Sequence, residues 1–190
     1  MTSNHQDQEL AGGDIVDLLR ERHEQIRDAF ADVIAAEGPV KAALFDELVT
    51  TLAVREAVAQ ELIRPVVELQ RPVVSAERTG PAAEEPEIMS QLSGLSIMDV
   101  DDDEFDAELI GVARIVTLHI EAQERDDLPL LRRSLPDREL TALAELMLSA
   151  ETIATASAGA IQTENTSPDA LGPRDVFAAL GNTIRRANRP

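Results

Sequence analysis

A chain of 190 residues with 44% hydrophobic content is long enough for one domain with a substantial core, and too apolar for a disordered one. Aromatic residues make up only 2%, with four Phe and neither Trp nor Tyr, which argues against a base-stacking nucleic-acid binder and against a β-sandwich. The formal charge of −19, from 36 acidic and 17 basic residues, repels phosphate backbones and anionic membranes, so neither nucleic acid nor a membrane is expected as a partner.

Residues 1–13 read as a flexible polar tail that holds His5 and no apolar segment resembling a signal peptide. Asp14 then caps a helix whose buried stripe is Ile15, Leu19, His23, Ile26, Phe30 and Val33, at spacings of 4, 4, 3, 4 and 3. Glu37-Gly38-Pro39 ends it. A second helix is predicted from about Val40 to Ile63, with Leu48, Leu52, Arg55, Ala59 and Leu62 on its stripe and Pro65 and Pro72 closing it. Ser75 to Pro86 is a loop, and a short helix from Glu87 to about Leu95 carries Ile88, Leu92 and Leu95. The acidic run Asp99 to Glu104 reads as a solvated cap on the next helix, where negative charge suits the dipole.

That helix, roughly Asp103 to Asp126, has Phe105, Leu109, Val112, Val116 and His119 at spacings of 4, 3, 4 and 3, and Pro129 follows. Pro136-Asp137 opens a further helix to about Ala156 through Leu140, Leu143, Leu146 and Met147. A polar linker around 163–173 leads to an amphipathic segment, Asp175 to Ala187. No apolar run approaches the ~20 residues needed to cross a bilayer, so the expected location is cytoplasmic. Long helices on short loops predict an all-α, antiparallel four-helix bundle over 14–135, with a C-terminal helical extension over 136–190.

With zero Cys there is no thiolate site and no cysteine nucleophile. The chain also lacks a Gly-rich phosphate loop and acids paired at a useful spacing, so an enzyme is not the expected reading. Chemistry is concentrated on the helical stripes. His23 and His119 lie on stripes of different helices, and imidazoles converging inside a bundle are a common way to hold a metal. Taken singly, each could equally be a hydrogen-bonded core histidine. Arg55 precedes Pro65 by ten residues and His119 precedes Pro129 by ten, so the two helices read as equivalent halves.

The segments DIVDLLRERHEQIR around His23, FDELV with LAVRE around Arg55, and EFD with HIEAQE and Leu128-Pro129 around His119 resemble, in order, helices of the hemerythrin-like (HHE cation-binding) family. The resemblance covers about Asp14 to Arg133. It implies a bundle with a non-haem di-iron centre, used in that family for binding or sensing oxygen, redox sensing, detoxification or iron response. It makes His23, His119 and Glu124 ligand positions, and Glu56 matches an acid some members use. The five-residue step from His119 to Glu124 calls for a π-type turn.

Three positions depart from the family pattern: Arg55 stands for a His, Ala59 for a Glu, and Pro86 follows Glu84-Glu85 where a His belongs. A dinuclear centre draws on roughly five or more protein ligands, so a complete one is not expected. The expectation is either no cofactor or a single Fe or Zn. A guanidinium at 55 would need a carboxylate, and Glu124 is its expected partner; the alternative is that Arg55 carries its charged head out to solvent. The sequence thus predicts a metal-poor or metal-free bundle acting in binding or regulation, through a protein partner or a second copy, with non-haem iron binding in oxygen or redox sensing, or iron handling, as the alternative.

Overall fold

The computed structural model describes residues 13–71, 85–164 and Asn182, and all regular structure among them is helical. Helix α1 spans Ile15–Ala35. Asp14 sits in extended backbone and its carboxylate accepts from the amides of Val16 and Asp17, satisfying donors that a helix start leaves orphaned. The buried positions of α1 are the predicted stripe with Val16 added.

Helix α2 spans Gly38–Val58, begins two residues earlier than predicted, and has Pro39 in its first turn. Gly38 adopts a φ of 56°, a left-handed conformation that glycine takes without steric cost and that lets α2 turn off α1 across a one-residue joint. Pro65 does not close this helix. The chain widens into a π-turn over Ala59–Ile63, in which Arg64 N–H bonds back to the Ala59 carbonyl, and then continues as α3, Arg64–Gln70. The same device recurs after α5, Asp103–Ala122: a π-turn over Gln123–Asp127 precedes α6, Leu128–Ser134, with Pro129 in its first turn. An α-helix running into a proline meets a missing donor and a clash with the carbonyl four residues back, and a five-residue register relieves both. The predicted equivalence of the two halves thus reappears as two matching π-turns.

Helix α4 spans Glu85–Leu95, so Pro86 falls in its first turn, where a proline costs no hydrogen bond. Its Leu92 and Leu95 are buried, and it packs on α5. The acidic run before α5 does more than cap it. Asp101 accepts the Gly38 amide, and Asp106 takes the Lys41 ammonium at 2.8 Å, tying the start of α2 to the start of α5. Lys41 is buried, so this pair stands where water is scarce.

Helix α7, Asp137–Glu164, runs about two turns beyond its predicted end. Leu146 was expected in the core and is 41% exposed; the buried face is instead Leu140, Ala144, Met147, Ala150, Ala154 and Ala158. Alanines spaced at three and four residues form a helix face that hydrophobicity alone does not advertise, and Ala has the best helix propensity. Helix α7 packs on both α1 and α2. The last residues of the predicted linker and the Asp175–Ala187 segment lie outside the described residues, as does the tail with His5. No helix among the described residues is long and apolar enough to cross a membrane.

Replacing Asp14 by Ala removes both cap bonds and the acceptor for Arg132, and should cost about 1 kcal/mol. Urea denaturation followed by circular dichroism, which suits a chain without Trp or Tyr, checks this.

Candidate functional site

Helices α1, α2, α5 and α7 and the covering α4 enclose a cavity of about 90 Å³. Its wall is mostly aliphatic, from Leu19, Ile26, Leu52, Val116 and Met147, and Met89 closes one side. His23 and His119 both line it, at 5% and 8% exposure, so the two imidazoles do share one interior.

A polar chain crosses that interior. Glu124, inside the second π-turn, lies against α1: His23 Nδ1 is 3.0 Å from Glu124 Oε1, and Arg27 Nη2 donates to the same oxygen at 3.1 Å. Because an ionised carboxylate only accepts, Nδ1 carries the His23 proton. Burial pushes the His23 pKa below the ordinary value near 6.5, against the pull of Glu124 and with help from the Arg27 charge. The ring is therefore neutral at pH 7. On α5, the Gln123 amide nitrogen, which can only donate, lies 3.0 Å from His119 Nε2, so that nitrogen presents its lone pair to Gln123. The Gln123 side chain acts on His23 as well, and so links the two rings.

Arg55 does not pair with Glu124. Its Nη1 donates to the Arg22 carbonyl at 2.5 Å and its Nη2 to Gln25 Oε1 at 2.6 Å. Arg27, one turn beyond His23 on α1, stands nearer to Glu124 and satisfies it, while Arg55 points along α1 toward the α7 side. There Arg22 grips Glu151 of α7 through Nε and Nη2 at 3.1 Å each. Burial, and next the adjacent Arg22 charge, lower the Arg55 pKa to about 10. Arg22 and Arg55 also line a second, shallower cleft of about 290 Å³ on the outer side, with Thr51, Thr155 and Glu151.

Of the other expected site positions, Glu56 lines the cavity and is engaged by Arg64 at 2.8 Å across the first π-turn. Ala59 lines it as a bare methyl, and Pro86 opens α4. The donor set does not fit a dinuclear metal centre. Glu124 is held by His23 and Arg27, Glu56 by Arg64, and the His119 Nε2 lone pair by Gln123. Among the described residues no three His, Cys, Asp or Glu side chains gather so as to hold a metal ion.

Sequence reasoning missed Gln123, Arg27, Arg22 and Glu151. The first two carried a usable signal: Gln123 lies four residues after His119 and Arg27 four after His23, each on its histidine's own face. The Arg22–Glu151 pair joins positions 129 residues apart and leaves no local pattern. Comparison with protein-family models, curated proteins and solved structures finds no match for this chain.

Because the His23 pKa is lower in the folded protein than in the unfolded chain, the unfolded state takes up the proton first as pH falls. The stability owed to the neutral ring is complete above about 6.5 and is lost as pH drops through the folded value. Urea midpoints should therefore fall between pH 7 and pH 5, and His23→Gln should flatten that slope.

Proposed function

We propose that the chain is a hemerythrin-like four-helix bundle whose metal site has been replaced by a polar network, and that it works as a metal-free binding or regulatory module. The observation that carries this reading is the engagement of each potential ligand by a protein partner. Glu124 is shared by His23 and Arg27, Glu56 by Arg64, and His119 by Gln123, while a guanidinium and a methyl occupy positions 55 and 59. Metal binding requires free lone pairs and clustered carboxylates. A cation entering here would have to displace bonds already made in a buried setting, where breaking them is costly.

One observation favours a second reading, a mononuclear Fe or Zn site: both imidazoles converge on the same cavity. Elemental analysis and an absorption spectrum of protein expressed in iron-rich medium separate the two. The metal-free reading expects well under one metal per chain and no band in the near ultraviolet, a region that a chain without Trp or Tyr leaves clear. One bound metal would support the second reading, and two irons with an oxo-to-iron band would overturn the first outright.

The double variant Arg55→His with Ala59→Glu restores two ligand types facing His23 and His119. It should gain measurable iron over wild type in the same expression, provided circular dichroism shows it folded.

A further inference from the structure

Arg55 is the least compensated charge in this interior. Its two printed acceptors, a backbone carbonyl and an amide oxygen, are neutral, and among the described residues no carboxylate forms an ion pair with it. Its neighbour Arg22 already claims Glu151 through both a guanidinium edge and Nε. Two guanidinium groups thus face one carboxylate, leaving a local excess of one positive charge in a chain that is otherwise strongly acidic. A partly buried guanidinium without a counter-charge is unfavourable, and its planar fork matches a carboxylate.

What lies on either side of this charge defines the ligand. Arg22 and Arg55 line both the outer cleft, with Thr51 and Thr155, and the interior cavity. The cavity beyond them is walled by aliphatic side chains and Met. We propose that this chain binds a short-chain aliphatic carboxylate, with its two oxygens on Arg55 and its hydrocarbon tail in the cavity between α1, α2, α5 and α7. A carboxylate has polar atoms at one end only, as the site does. Inorganic phosphate would need donors on every side, and an amine would meet two guanidinium groups. A cavity of about 150 Å³ lined by apolar side chains holds a benzene ring, so the smaller one here takes a tail of about three or four carbons. The proposal rests on the metal-free reading of the interior given above.

Calorimetric or NMR titration of the full-length protein, freed of metal by chelation, with acetate, propionate, butyrate, hexanoate and decanoate tests it. Affinity should rise about fourfold per methylene from acetate to butyrate, following the transfer free energy of a buried CH₂, and stop rising once the cavity is full. Butanol, butylamine and phosphate should each bind at least tenfold more weakly than butyrate. Arg55→Gln should lose at least tenfold in butyrate affinity, and Ala59→Leu, which fills the cavity, should move the preferred tail to a shorter chain. If either variant does not fold, the wild-type series of butyrate against butanol still decides. Absence of saturable butyrate binding to folded, metal-free protein overturns the proposal, as does equal binding of butanol or phosphate. Metal content measured on protein as isolated keeps the two failures apart: bound iron sinks the metal-free reading, whereas metal-free protein that ignores carboxylates sinks only this one.

Discussion

A proline within a helix withdraws one donor and presses its ring on the carbonyl a turn behind, and this chain meets that constraint at Pro65 and again at Pro129. Both times the backbone widens over the five residues before the new α-helical segment and carries on. Much of the remaining architecture depends on that. Because the rods continue, α3 and α6 exist and pack on each other, Arg71 of the first reaches Asp127 at the end of the second π-turn, and Arg132 of α6 reaches the cap of α1. The first π-turn also lies between Glu56 and Arg64, and the second contains both Gln123 and Glu124. The polar groups of the interior are therefore presented from the places where the helices are locally unwound, in keeping with the concentration of π-turns at functional sites.

The polar interior is close to self-satisfied. A carboxylate on α5's extension meets a neutral imidazole and a guanidinium of α1, and an amide spans the two imidazoles. Such a network gives a helical core a fixed register, since sliding one helix by a turn would strand every member at once. Arg55 stands apart. It hydrogen-bonds α1 without a balancing anion, and it is the group through which the closed interior and the outer cleft communicate.

The helices themselves were legible because period and punctuation agreed. The α1 stripe, Asp14 as its cap and the α5 stripe all stand as the spacing predicts, and His23 and His119 share an interior as their stripes require. Helix ends were less legible. Proline normally stops a helix, and nothing in the residues before Pro65 or Pro129 announces a register change. The buried face of α7 was misread because Leu146 outweighs Ala150 or Ala154 on any hydropathy scale, although tight packing on α1 and α2 selects the smaller side chains. The partner of Arg55 was misread for a different reason. Charge balance says that a cation needs an anion, but the nearer Arg27 had already taken Glu124.

The alanine face of α7 has a mechanical side. Methyl groups make shallow bumps, so Ala144, Ala150, Ala154 and Ala158 bring α7 close to its neighbours without the interlocking that leucine or isoleucine would supply. Spacing is set firmly, while axial position is set by few teeth: Leu140, Met147 and the Arg22–Glu151 clasp. Small sliding of packed helices is the shear mode by which helical proteins change shape. Here the same short stretch of α7 supplies both a wall of the inner cavity and the anion of the outer cleft, so any such slip would alter the two together.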